Sequence, residues 1–338
     1  MAIDQPDPAF DEAEADRRLE SNRRDVEAMM AKADNRMRAA DYRAANAYYG
    51  QIARLAAAGV SVAHGDLNRA RDATLWLAER FRLAILEGLA ARGVDQANMH
   101  PSFAKSLAIM FGQEPRAAEF IQYPQSPNLY FYPDLPHVEY ADAADHGWVK
   151  AVEAQTDTIL AEAQVLLAQG KGFGPYVKTD RQRPQGDVHG MLEDPSWSTL
   201  DLTDRGIPVP ERVAQAPKTW ATMQENVPLC DIPRRAPSVM FSLLRAGSRI
   251  PPHTGMINSR FICHLPLIVP GDGALRVGTS QRAWEHGKVM IFDDSVEHEA
   301  WNNAAKDRLV LIFDIWRPEI SEVERAQIKA LFASVDDY

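Results

Sequence analysis

Four stretches of this chain hold side chains able to do chemistry: Arg249-Ile250-Pro251-Pro252-His253-Thr254-Gly255, Ser259 to Leu267 with Arg260 and His264, Phe292-Asp293-Asp294-Ser295-Val296-Glu297-His298-Glu299, and Arg308. His253 and His298 are expected in turns beside strands, with a long connection between them. Two neutral imidazoles so placed can converge at one end of a barrel and bind a first-row metal. In a facial triad a carboxylate two residues after the first histidine completes the metal site. That position here is Gly255. Spacing alone therefore leaves open both a metal pair and two ordinary polar loop residues.

The elements that must position these residues change character along the chain. Apolar residues recur at helical spacing from about Asp16 to Ala58, through Val26, Met29, Ala33, Met37, Ala44, Tyr48, Ile52 and Leu55, with Asp41 placed to start a second helix. This reads as a helical hairpin. Its Asp41-Tyr42 start and Ala44/Ala45 before Tyr48/Tyr49 resemble a tetratricopeptide (TPR-like) unit, although no second copy follows at the ~34-residue period. Further helical patterns cover Leu67 to Leu89 and Phe103 to Phe111, and another is expected over Trp148 to Leu167. Prolines crowd Gly112 to Pro136, so the boundary is placed there, giving an α-helical region over 1–120 and a second domain over 121–338. From Ser238 onwards short apolar runs bounded by turn residues predict strands: Val239 to Leu244, Ser259 to Val269, Leu275 to Val277, Val289 to Phe292 and Leu309 to Trp316. Such spacing implies an antiparallel sandwich or barrel, hence an α+β fold class. Ser321 followed by Glu324 is a capping box that starts a last helix, expected to run through Phe332.

Composition narrows the classes. The 338 residues are 46% hydrophobic, enough for real cores, and 37 basic against 47 acidic residues leave a net charge of -10. No Lys/Arg-rich run offers an attraction for phosphate backbones, so nucleic acid is not an expected partner. The acidic Met1 to Glu20 lacks the features of a secretory signal, and no stretch approaches the ~20 apolar residues of a membrane span. A cytoplasmic protein without a membrane partner is expected, with Cys230 and Cys263 reduced. The run from Lys178 to Arg183 reads as a solvated loop that borders a substrate entrance.

Over roughly Phe131 to Pro318 the chain resembles the aspartyl/asparaginyl β-hydroxylase family. The resemblance is carried by Pro252-His253-Thr254-Gly255, by Phe292 through Glu299, and by Asp314-Ile315-Trp316-Arg317-Pro318. It implies a double-stranded β-helix of the jelly-roll or cupin type, with its β core about 238–318. It also implies a dioxygenase that uses Fe(II), 2-oxoglutarate and O2 to hydroxylate a C–H bond, on the β-carbon of an Asp- or Asn-type residue or a related amino-acid or peptide substrate. His253 and His298 would bind the iron, with glycine in the carboxylate position as the family has it. Arg308 would grip the distal carboxylate of 2-oxoglutarate, since a guanidinium fork matches a carboxylate in a way lysine does not. Ser242 and His264 would lie beside that cosubstrate. Asp294 is a candidate catalytic residue that hydrogen-bonds a metal-bound water, weighed against a solvent-exposed turn residue. Ile262 stands where the animal hydroxylases carry an arginine that holds the substrate's acidic side chain. Arg260, two positions earlier, becomes the candidate substrate contact, weighed against an exposed strand arginine. Two rival readings stay in view: a halogenase using the open metal position, and a non-catalytic binding protein built on the helical region. The other histidines, His189 among them, receive no role, and Trp284, Trp301 and Trp316 read as packing.

Overall fold

The computed structural model describes residues 7–118, 120–170, 172–179, 183–184 and 189–338. Two compact units are present: Met1–Ala91 with Lys178–Val188 and Asp337–Tyr338, and Arg92–Val177 with His189–Asp336. The division falls at Ala91/Arg92 rather than near residue 120. Hydrogen bonds explain the shift, because the Gln327 side chain accepts from the His100 backbone at 3.0 Å and donates to the Asn98 carbonyl at 2.9 Å, binding the start of the next helix to the C-terminal one. Within the run from Lys178 to Arg183, positions 180–182 lie outside the described residues.

The first unit contains helices α1 (Glu12–Ser21), α2 (Val26–Arg38), α3 (Tyr42–Ala57) and α4 (His64–Ala91). Three helices therefore occupy the span expected to be a hairpin. Each of the first three starts on an aspartate: Asp11, Asp25 and Asp41 accept from the backbone N–H three residues on, at 2.9, 3.0 and 3.1 Å. Met29, Met37, Tyr48, Ile52, Ala70 and Leu77 fill the core between α2, α3 and α4. Within that core Asp34 accepts from Tyr49 at 2.5 Å and from Arg69 at 2.6 Å, so one buried carboxylate ties the three helices together.

The second unit opens with α5 (Pro101–Met110), β1 (Tyr140–Ala141), α6 (Val149–Glu153), α7 (Thr156–Gln169) and β2 (Gly174–Pro175). The single helix expected over Trp148 to Leu167 is thus broken near Ala154, where the backbone bonds of α6 close before α7 begins. Next come β3 (Trp197–Asp201), the hairpin of β4 (Thr203–Asp204) and β5 (Ile207–Pro208), α8 (Pro210–Val213) and α9 (Pro217–Asn226). Eight strands follow: β6 (Val239–Leu244), β7 (Ser248–His253), β8 (Arg260–Ile268), β9 (Gly273–Val277), β10 (Ser280–Ala283), β11 (Met290–Phe292), β12 (His298–Asn302) and β13 (Arg308–Trp316). Helix α10 (Glu322–Asp337) closes the chain on the expected Ser321/Glu324 capping box.

The larger sheet has the order β1-β11-β8-β13-β6-β3-β2 and the smaller one β10-β9-β12-β7. From β6 to β13 the chain winds back and forth between the two sheets, which makes a double-stranded β-helix. Alternation sorts the larger sheet into two faces. Phe241, Leu243, Phe261, Cys263, Leu265, Leu309, Leu311 and Phe313 point outward under Val152, Ile159, Ala163 and Met223 of α6, α7 and α9. The opposite face, toward the smaller sheet, mixes Leu244, Ile262, Phe292 and Val310 with polar residues and holds the site described next. Among the described residues no helix is long and apolar enough to cross a membrane.

Candidate active site

His253 is the last residue of β7 and His298 the first of β12, and the two pair directly across the smaller sheet. They stand on strands, not in turns. Pro251 and Pro252 are accommodated because β7 is the outermost strand of its sheet, where a missing N–H costs no ladder bond. Their ring centroids are 4.1 Å apart. The His253 Nδ1 donates to the Pro251 carbonyl at 2.7 Å and the His298 Nδ1 to the Val296 carbonyl at 3.0 Å. Both bonds fix the tautomer with the proton on Nδ1, so each Nε2 keeps a lone pair for a metal. Burial holds both rings neutral, at about 4 for each; for His253 the neighbouring His298 adds to the effect. Among the described residues no group of three His, Cys, Asp or Glu side chains is arranged to hold a metal ion.

Arg308 opens β13 on the inner face of the larger sheet and is 1% exposed. Its guanidinium lies 4.7 Å from the Trp284 ring, and its one hydrogen bond among the described residues is a long 3.4 Å donation to Ser242 Oγ. Nε is buried without a partner, and burial pushes the group down to about 9. A buried cation with no carboxylate beside it is costly unless a ligand supplies one. Ser242 also accepts from the Trp197 indole N–H at 3.1 Å, which leaves its own hydroxyl proton free to donate. His264, two registers across through β13, is buried with Nδ1 unpartnered; burial first, then Arg308 and His298, hold it well below its ordinary range. The Phe292 ring lies 4.9 Å from His264 and 5.6 Å from His298, and joins the two halves of the site.

Residues 153–318 match the sequence model of aspartyl/asparaginyl beta-hydroxylases. The human protein of that name is 34% identical over 185 residues, covering 54% of this chain and 23% of its own length. Residues 153–318 form a domain of the aspartyl/asparaginyl β-hydroxylase family. The ornithine lipid ester-linked acyl 2-hydroxylase of Rhizobium tropici is 32% identical over 190 residues, 55% of this chain and 63% of that one. Human aspartate beta-hydroxylase domain-containing protein 2 is 30% identical over 214 residues, 62% of this chain and 55% of that protein. The match thus spans about a quarter to under two thirds of these relatives.

In this member of the β-hydroxylase family the glycine two residues after the first histidine is required by space. A Cβ on Gly255 would overlap the Asp294 carboxylate, whose backbone carbonyl accepts from the Gly255 N–H at 2.6 Å. Asp294 is therefore not a solvent-exposed turn residue: it is 7% exposed, and its Oδ1 is buried without a hydrogen-bond partner. Burial raises its pKa, opposed by Arg260 and His253. Asp293 faces the other way and locks the turn, accepting from Gln125 at 2.8 Å, Arg317 at 2.9 Å and the Ser295 N–H at 2.9 Å.

Arg260 is not an exposed strand arginine either. It is 5% exposed, donates from Nη1 to Asp314 and holds Nη2 3.6 Å from Asp294. The sequence reading assigned nothing to Tyr176 and Trp197, whose rings stack at 4.2 Å with Trp197 6.0 Å from His253. Both lie in the stretch from Gly170 to Pro237 that has no periodic pattern. A tyrosine and a tryptophan within that irregular stretch were the one available signal.

Proposed function

We propose that this chain is an Fe(II)- and 2-oxoglutarate-dependent hydroxylase. The observation that carries the reading is Arg308: a guanidinium buried without a carboxylate partner among the described residues, on the same sheet face as Ser242 and His264, with the Phe292 ring lying against both His264 and His298. The histidines fit an iron ion held by two protein ligands, and the unpartnered Nε of Arg308 and Nδ1 of His264 fit a cosubstrate with a carboxylate. Bound iron with 2-oxoglutarate and O2 would supply the oxidising power to replace a C–H hydrogen with hydroxyl.

The chain's own residues bind, orient and exclude water. His253 and His298 would hold the metal, oriented by the Pro251 and Val296 carbonyls. Arg308 would receive the distal carboxylate of the cosubstrate, with the Ser242 hydroxyl donating to it and His264 beside it. Trp284, Phe292 and Val310 keep that end dry, which strengthens each charge-assisted bond. Asp294, whose carboxylate fills the space that Gly255 leaves free, would hold a metal-bound water. The relatives' names bring two substrate classes to this reading, an Asp- or Asn-type residue and a lipid acyl chain.

The test is an anaerobic titration of metal-free protein with Fe(II) and 2-oxoglutarate, followed by the visible charge-transfer band of the chelate. A band that His253→Ala abolishes, and that Arg308→Ala shifts to much higher cosubstrate concentration, is the expected result. No band from folded protein would remove the proposal.

A further inference from the structure

The helical unit holds a cavity of about 210 Å³ that its own core leaves unfilled. One wall comes from α1, where Asp16, Leu19 and Glu20 stand at three- and four-residue spacing and so share a helix face, with Arg23 just past the helix end. The floor is apolar: Leu19, Met29 of α2 and the Tyr48 ring of α3, with Met29 2% and Tyr48 3% exposed. Arg183, from the segment grouped with this unit, lines the same cavity. Elsewhere on α1 the arginines are used up, Arg17 on Glu14 and Arg18 on Asp25. Among the described residues neither Arg23 nor Arg183 is paired with a carboxylate. Asp16 takes the buried Lys32 ammonium, which also lies over the Tyr48 ring, through one of its oxygens. The cavity thus joins two guanidiniums and two carboxylates around an apolar floor.

We propose that this cavity binds a free amino acid with a leucine-sized apolar side chain. The lining carries both signs of charge in equal number, so a ligand with one charge would meet repulsion from half of it. A zwitterion meets none that it cannot answer. Its carboxylate suits the forked donors of Arg23 and Arg183, and its ammonium suits the carboxylates of Asp16 and Glu20. Its side chain would leave water for Leu19, Met29 and Tyr48, a gain that glycine cannot make. Size sets the upper limit: a cavity of about 150 Å³ holds benzene. The 210 Å³ here therefore takes a branched aliphatic side chain with its charged head and is too small for a dipeptide. No residue of the second unit contributes, so the proposal stands or falls apart from the oxygenase reading.

Calorimetric titration of the full-length protein with leucine, glycine, isocaproate and isopentylamine tests this, since the last two are leucine without its ammonium and without its carboxylate. Leucine should bind tightest. Each singly charged analogue should bind on the order of fivefold more weakly, as expected for one lost ion pair at an open mouth, and glycine on the order of tenfold more weakly. Two variants place the site. Arg183→Gln should weaken leucine on the order of fivefold and leave isopentylamine unchanged, whereas Glu20→Gln should weaken leucine similarly and leave isocaproate unchanged. Tightest binding of isocaproate would make the cavity an anion site, and tightest binding of isopentylamine a cation site; either overturns the proposal. So does absence of heat from leucine with protein whose helical circular dichroism is intact. Leucine binding that is the same in both variants as in the parent overturns it as well, because the amino acid would then be held elsewhere.

Discussion

At the scale of single residues, two positions show what spacing conveys and what it hides. The histidine pair and Arg308 were legible because their motifs recur in a known family, yet nothing in the sequence says that Arg308 has no carboxylate partner or that Arg260 already has two. Those facts depend on β8 and β13 lying side by side, with Ile312 opposite His264 and Asp314 opposite Ile262. Replacing Arg308 with lysine should raise the dissociation constant for 2-oxoglutarate on the order of a hundredfold, since a forked pair of charge-assisted bonds of about 1.5–3 kcal/mol each becomes one poorly placed contact. Equal affinity in the lysine variant, measured by calorimetry, would mean that the cosubstrate does not use this arginine. Gly255 gives a sharper case. Adding a methyl there collides with the Asp294 side chain, so Gly255→Ala should destabilise the fold by about 1–3 kcal/mol in chemical denaturation. In an Asp294→Ala background the same change should cost much less, as neighbouring sites couple. An identical cost in both backgrounds would show that something other than the carboxylate demands the glycine.

At the scale of elements, β6, β8, β11 and β13 were readable from short apolar runs, while β7, β10 and β12 were not. The reason is physical. The missed strands make up most of the smaller sheet, whose residues alternate with charged partners such as Arg249, Arg276 and Glu299, so no apolar run marks them. Both histidine ligand candidates sit on missed strands, His253 on β7 and His298 on β12. The C-terminal helix was legible because its cap is local. The cap also has a long-range partner: Glu324 accepts from the Ser321 N–H at 2.9 Å and from the Tyr132 hydroxyl at 2.7 Å. Burial pushes the Glu324 carboxyl up, but the bonds from Ser321 and Tyr132 outweigh it and hold the group below its usual value. A carboxylate whose folded pKa is depressed binds fewer protons folded than unfolded. Its stabilisation is therefore complete above the unfolded value and is lost as pH falls through the folded one. Glu324→Gln should be less stable than the parent by about 1–2 kcal/mol at neutral pH, and the two proteins should converge below about pH 4. A gap that stays constant across that acid range would show that the carboxylate's charge is irrelevant to α10.

At the scale of the whole molecule, the division into units separates recognition of the reaction from the rest of the chain. His253, His298, Arg308, Ser242, His264, Asp294 and Arg260 all belong to the second unit, whose two facing sheets need nothing from α1 to α4 to bring them together. The helical unit has its own core around Ile52 and Leu77 and its own buried ion pair at Asp34. It also claims Lys178–Val188, a segment that lies in sequence between β2 and β3 of the other unit. A chain beginning at Arg92 therefore keeps every residue assigned to the metal and cosubstrate but leaves Thr179, Arg183 and Pro184 without Asp16, Leu19 and Met29, with which they line one cavity. Such a truncated chain should form the Fe(II)–2-oxoglutarate chelate with a cosubstrate affinity within about twofold of the full chain, as independent sites do. Limited proteolysis should meanwhile cut it faster than the full chain after Lys178, because residues that have lost their neighbours open more often. Loss of the chelate from a truncated chain that retains its β-sheet circular dichroism would give the helical unit a direct part in the site. An unchanged cleavage rate after Lys178 would show that the neighbours from α1 and α2 do not hold this point of the chain.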